Sequence, residues 1–179
     1  MADAVVFMQV PEIEGTGTLY GFDPGEDGSH EGWIPVASTS FNFEREEATA
    51  VDQDTDGEAE PAAPTTVVNP MRIERTADIT STQLLMWLAA PADDDARKKE
   101  VVLIDYCLPS GKFFLRYELK GVELVSCSIN YQEPDEVKET LTLTYEEITI
   151  FQRPVDLNGE VDVTKTTEST YTVITADSE

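Results

Sequence analysis

The chain is short of the residues on which most enzyme chemistry depends. Its 179 residues include one histidine, His30, and two cysteines, Cys107 and Cys127. One imidazole leaves no Cys/His spacing for a zinc site. It also leaves a single candidate base for a nucleophilic triad, and that base stands in a Gly- and acid-rich stretch where it reads as a solvated loop residue. No GxSxG elbow, P-loop or HExxH helix is present. Gly15-Thr16-Gly17 follows a strand-like segment but opens no helix, so it does not cradle a pyrophosphate. Two cysteines are too few for a disulfide framework and read as free thiols in a reducing cytoplasm.

Positive charge is scarce as well. Twelve Lys and Arg stand against 36 Asp and Glu, for a formal charge of −24. Residues 1–70 hold fifteen of the acids and one base, Arg45. Such a surface repels nucleic acid and anionic lipid. No run of eighteen apolar residues occurs, so no membrane insertion is expected. The opening MADAVVFMQVPEI has an acid, Asp3, and no base before its apolar stretch. That is not a Sec-type signal peptide, so export would need another route.

What remains is β pattern. Ala4–Ile13 and Gly32–Phe43 read as strands around a loop over Gly15–Glu31, and Met71–Ala77 reads as another. One helix follows. Thr80 with Gln83 forms a capping box, Ile79 and Leu84 a hydrophobic staple, and Pro91 ends it. Glu100–Cys107, Lys112–Leu119 and Val122–Tyr131 form a meander with turns at Pro109-Ser110-Gly111 and Lys120-Gly121. Phe113, Leu115, Tyr117 and Leu119 alternate onto one face. Val101–Ile104 is apolar on both faces and is expected to be covered on both. Thr140–Arg153 reads as one long strand whose apolar phase changes at Glu146-Glu147, the mark of a bulge. Asn158-Gly159 turns the chain into a last strand over Val161–Ile174. The pattern is mainly β, with about eight strands in a small β-barrel or tight sandwich and one α-helix at its flank or end. The whole chain, 1–179, is expected to be a single domain.

One segment differs. Residues 44–70 form an acidic, Ala/Thr/Pro-rich insertion too poor in apolar surface to order itself, and Ala48–Val68 within it is expected to be mobile and the first site where a protease nicks. Within it Asp52, Asp54, Asp56 and Glu60 match the first part of an EF-hand loop. Position twelve is Ala63 instead of a bidentate Glu, so any calcium binding is expected to be weak and confined to this loop. Asp156-x-Asn158-Gly159-Glu160 is explained by its hairpin turn. No cofactor is expected.

Five segments in order resemble the Hcp (haemolysin-coregulated protein) family of type VI secretion systems. They are the opening MADAVVFMQVPEIEGTG; His30–Val36 with Ser38, Ser40 and Phe41; Ile73–Asp78 with Ser81, Leu84 and Leu85; Gly121–Ser126; and Glu139–Ile148. The resemblance spans most of the chain outside 44–70 and 91–100. It implies a β-barrel with a lateral helix, assembled as a homo-hexamer whose rings stack into a tube. It further implies a contractile sheath, a VgrG-type spike and effectors as partners. The subunit would reside in the bacterial cytoplasm until secreted through the apparatus, with no catalytic residues. The insertion occupies the place of the family's ring-stacking loop, which makes Glu44, Glu46, Glu47, Asp52, Asp54 and Asp56 the stacking candidates. Arg72 and Arg75, or Arg97-Lys98-Lys99, would be the basic patch if that loop attracts the next ring. The competing expectations are an acidic β-sandwich that binds calcium or carbohydrate without forming rings, and a glycosidase using paired carboxylates.

Overall fold

The computed structural model describes residues 4–17, 30–46, 65–91, 95–133 and 136–173. Within them run β1 (Val5–Gln9), β2 (Ile34–Val36), β3 (Ser38–Ser40), β4 (Phe43–Glu46), β5 (Thr65–Val68) and β6 (Met71–Thr76). After α1 (Ser81–Leu88) come β7 (Lys98–Cys107), β8 (Phe113–Glu133), β9 (Glu136–Thr144), β10 (Glu147–Gln152) and β11 (Thr167–Thr172). The mainly β class with one helix is as expected. Among the described residues eleven strands stand where about eight were expected: Gly32–Phe43 and Thr140–Arg153 each split in two, β4 and β5 flank the insertion, and two expected strands merge into β8.

The main sheet has the order β2-β1-β7-β8-β9-β6-β3, antiparallel throughout. Its two ends, β2 and β3, are consecutive in the chain with Ala37 between them. Ala37 N donates to Glu74 O of β6 at 2.8 Å. No ladder joins β2 to β3; the chain itself steps from β1's edge to β6's and carries the sheet round on itself. Alternating residues fill the interior. Met8, Ile34, Ile73, Ile104, Leu119 and Leu141 are fully buried there.

The Lys120-Gly121 turn is not a turn. β8 runs through it unbroken for 21 residues. Gly121 has φ +62, and a Cβ there would meet the Glu146 side chain at 2.3 Å. This is a corner that glycine permits. β9 and β10 lie in line along the same edge of β8, with Thr144 opposite Glu123 and Glu147 opposite Lys120. The expected phase change at Glu146-Glu147 thus falls across the corner. It breaks one strand into two, where a bulge in a single strand was expected. Beyond it β11 adds to β10, and this last strand is shorter than Val161–Ile174.

Phe113 also leaves its expected face. Cys107 lies opposite Phe113, but Tyr106 lies opposite Leu115. The shift sends Phe113 to a second cluster with Phe7, Trp33 and Cys107, outside the barrel, where Leu103 joins it. The apolar run of β7 is fully covered at Val102 and Ile104 and partly covered on the other face, where Val101 and Leu103 are half-buried.

At the helix entry the capping box does not form. Thr80 Oγ1 donates to Asp78 Oδ1 at 2.6 Å and accepts from Arg75 Nη1 at 2.6 Å, so it is not free to cap. Asp78 Oδ1 instead accepts the Thr80 N–H at 2.8 Å. Ile79 is 75% exposed and staples nothing. Leu84 and Trp87 are buried in the barrel core, and Trp87 Nε1 donates to Arg97 O at 2.6 Å.

Candidate functional site

The acidic insertion is framed by strands. β4 and β5 pair from Phe43 opposite Val68 to Glu46 opposite Thr65, so Glu44 and Glu46 stand on a strand with Arg45 between them. Thr65–Val68, within the expected insertion, is thus already a strand before Met71. Glu47, Asp52, Asp54, Asp56 and Glu60 lie outside the described residues, so the calcium set and most of the stacking set are neither brought together nor separated.

Aromatic side chains fasten the base of this arm to the barrel. Phe41 packs on Phe43 at 5.3 Å and on Tyr117 at 5.1 Å, and Phe43 reaches Tyr171 of β11 at 4.9 Å. Tyr145 Oη donates to Asn69 O at 3.1 Å, and Asn69 N to Asn42 O at 3.0 Å. Aromatic pairs contribute about 0.5–1.5 kcal/mol beyond their area. Phe43→Ala should leave the global unfolding midpoint nearly unchanged but speed amide exchange at Val67 and Val68. Equal protection in both proteins would show that the ring contacts do not hold the arm.

The basic residues expected to attract that loop are engaged within the chain. Arg97 meets Glu123 at 2.9 Å, Lys99 meets Glu12 at 2.7 Å, Lys98 meets Glu146, and Arg72 meets Glu74 at 3.6 Å. Lys120 meets Glu147 at 2.7 Å, and that hydrogen bond and charge raise its pKa. Glu12 is held below the usual range by its hydrogen bond to Lys99 and by that charge. Each exposed pair contributes little to stability. Together they remove Arg72 and Arg97-Lys98-Lys99 as an uncompensated basic patch. Arg75 is interior, only 1% exposed, and presents no charge to a neighbour.

Arg75 belongs to a buried network under the helix entry. It lies directly opposite Glu139, Nε to Oε2 3.4 Å, and also binds Asp78 and Thr80. Glu139 is 1% exposed and accepts no hydrogen bond among the described residues, so this ion pair is its main compensation. Burial pushes the Asp78 carboxyl up, but hydrogen bonds from Thr80, Thr16 and Arg75 outweigh it and leave it lowered.

A second buried network corrects the expectation for His30, which is not a solvated loop residue but 2% exposed. Its Nε2 lies 2.8 Å from Asp105 Oδ2, and its ring stacks on Phe7 at 5.3 Å and meets the Trp33 edge at 4.5 Å. Arg116 forks the same carboxylate, Nε to Oδ1 2.6 Å and Nη2 to Oδ2 2.7 Å. Gly15 and Gly17 seal this side. Their N–H groups donate to Gly32 O and Trp33 O at 2.6 and 2.7 Å, and a Cβ on either would lie 2.5 Å or less from Trp33 O. The GxG pattern is a close-packed seam, a role the sequence reading did not assign to it.

His30, Asp105 and Cys107 offer three metal-type donors within 4.8 Å of one another. The chemistry of the set argues against a cation. Arg116 occupies both Asp105 oxygens, and the Arg116 and Arg153 guanidinium groups sit over Phe113 at 4.1 and 3.7 Å. Burial and the Asp105 charge push the Cys107 thiol up to about 12, so it keeps its proton. Nucleophilic cysteines show the reverse shift and are accessible. Although Cys107 Sγ lies 3.4 Å from His30 Nε2, the pair is not built for attack on a substrate. It is an ion-pair network that fastens the 30–33 segment to β7 and β8.

A family model described as "Type VI secretion system effector, Hcp" matches residues 7–151. A solved type six secretion system protein superposes with a TM-score of 0.72 at 17% identity, covering 95% of this chain and 96% of that one. Hcp1 from Salmonella typhimurium gives 0.66 at 16%, covering 96% and 95%. Secreted protein Hcp3 from Pseudomonas aeruginosa gives 0.56 at 16%, covering 97% and 100%. At such identities the structural likeness is one of fold. No curated protein matches the chain closely enough to count as a relative.

Proposed function

The chain belongs to the Hcp family of type VI secretion proteins, and on that premise we propose that it is the ring-forming subunit of the inner tube of a contractile injection machine. The observation that carries this reading is the family match across residues 7–151, which runs through the barrel, the helix and the long hairpin. The subunit assembles as a homo-hexamer, and the rings stack. A VgrG-type spike and a contractile sheath are its partners in the machine, and effectors travel with it or on it. Its work is structural, with no nucleic acid and no membrane insertion. It is made in the cytoplasm and leaves through the apparatus. No helix among the described residues is long and apolar enough to cross a membrane.

Electrostatics then sets when rings stack. Each subunit carries −24, and the arm that would face the next ring begins with Glu44 and Glu46. The bases that could attract it are paired within their own chain. Exposed like charges repel over a screening length of about 10 Å at 0.1 M salt. Rings are therefore expected to form readily, and to stack only at raised salt, with divalent cations, or on a template.

Native mass measurement should find six copies of 19.8 kDa, and electron microscopy should show rings with a central hole. A monomer at micromolar concentration would end the ring reading. Light scattering should show particles lengthening as salt rises. Particles longest at low salt would mean that attraction governs stacking instead.

A further inference from the structure

The turn after β1 holds an unusual residue. Ile13 N donates to Val10 O at 3.2 Å, with Pro11 and Glu12 between them. Proline at the second position and φ +67 at the third make a type II turn, whose third position favours Gly or Asn. Glu12 is the one non-glycine residue with positive φ among those described. Strain of this kind collects at ligand-binding surfaces.

Two clefts meet at this turn, and Glu12 and Ile13 line both. One, of about 590 Å³, is apolar and runs along α1 past Met86, Trp87, Ala90 and Pro91. Met86 is 72% exposed there, and the chain has no charge from Ile79 to Ala92. The other, of about 570 Å³, runs over Pro11 and Trp33 to Glu14 and Glu31. Both volumes are those of ligand sites. The two tryptophans of the chain stand one in each cleft.

Charge decides what fits. The one base in the two linings, Lys99, is taken by Glu12 at 2.7 Å. Glu14 and Glu31 are exposed, and neither meets a base among the described residues. The groove is thus apolar at one end and negative at the other. A second copy of the chain is a poor occupant, since it brings a charge of −24 and keeps Arg72, Arg97 and Lys98 paired within itself.

We propose that this groove docks a short segment of a partner protein in which an apolar stretch adjoins Arg or Lys. The apolar part lies beside α1 and the cations reach Glu14 and Glu31. Burial of apolar surface supplies the affinity. The carboxylates set the orientation and the speed of encounter. This docking goes beyond the ring reading and does not depend on it.

The probe is the peptide Leu-Leu-Ala-Leu-Gly-Arg-Lys-Arg, with its reverse to cover both chain directions. A peptide of the same composition with the bases interspersed is the control. Fluorescence anisotropy of the fluorescein-labelled peptides should show saturable binding in one direction, tighter than the control. Glu14→Gln with Glu31→Gln, and separately Met86→Ser, should each raise Kd about tenfold. Glu160→Gln with Glu168→Gln removes the same charge from outside the groove and should change Kd by less than about twofold. All five side chains are exposed, so folding is not burdened. The unlabelled peptide has no aromatic residue, so its binding should shift the emission of Trp33 and Trp87. Absence of saturable binding in both directions, an equal effect of the Glu160/Glu168 pair, or unchanged tryptophan emission would overturn the groove. Native mass of the same samples reads the ring separately: a monomer that binds the peptide would end the ring reading and support the groove.

Discussion

Arg75→Met is expected to cost about 3–5 kcal/mol of folding stability, the usual result of stranding one member of a buried ion pair. Arg75 and Glu139 are each 1% exposed, and Glu139 accepts no hydrogen bond among the described residues. Methionine fills much of the volume but leaves the carboxylate without its counter-charge. It also releases the Thr80 hydroxyl and the Asp78 carboxylate, which Arg75 ties to the helix entry. Against a typical domain stability of about 5–15 kcal/mol this loss is large. The double variant Arg75→Met, Glu139→Leu should recover most of it, because two apolar side chains satisfy each other where a lone carboxylate does not. Urea unfolding of the three proteins gives the comparison. A single variant within about 0.5 kcal/mol of the wild type, the range usual for surface substitutions, would show that the pair is not the fastening it is taken for.

Asp105→Asn should have a comparable effect with a distinct pH signature. Asp105 is fully buried and holds both Arg116 and His30. Burial pushes its carboxyl up, but the Arg116 and His30 hydrogen bonds and charges outweigh burial and leave it below its ordinary value. A carboxyl depressed in the folded state stabilises the fold fully above its unfolded pKa, about 3.9. That contribution disappears as pH falls from there through the lower folded value. Asparagine keeps the shape, loses the charge and turns an N–H group towards a cation. Near neutral pH the variant should be less stable by about 3–5 kcal/mol. Below about pH 4 the gap should narrow, because the wild type is losing what the variant never had. Asp78, depressed in the same sense, contributes a residual acid sensitivity to both proteins. Stability curves that stay parallel throughout the acid range would mean that Asp105 is not the group responsible.

Parts of this molecule were legible from single segments. Leu141 and Leu143, two residues apart, fall on the buried face of β9, as period-two alternation requires. The phase change at Glu146-Glu147 located the barrel corner to the residue. The order of five short segments pointed to the family that the match over residues 7–151 identifies. All of these are local signals, or a sequence of them.

Other parts were not legible, for reasons that differ. Thr80 has the residue type and spacing of an N-cap, yet Arg75 and Asp78 take its hydroxyl, and a buried guanidinium outcompetes a local cap. Lys120-Gly121 between two alternating runs looks like a hairpin turn. The chain uses the positive φ of Gly121 to bend a strand because β7 pairs with it on one edge, and β9 and β10 flank the bend on the other.

By itself the sequence determined the class of the protein: acidic, mainly β, with one short helix, few bases and no catalytic motif. Those properties follow from composition and from periods of two and 3.6, which each segment carries alone. The tertiary structure decided where the charges go. His30 lies 75 residues from Asp105 in the chain and 2.8 Å from it in space. Glu139 faces Arg75 across a ladder. A buried ion pair is a relation between distant segments, and no local pattern encodes its second member.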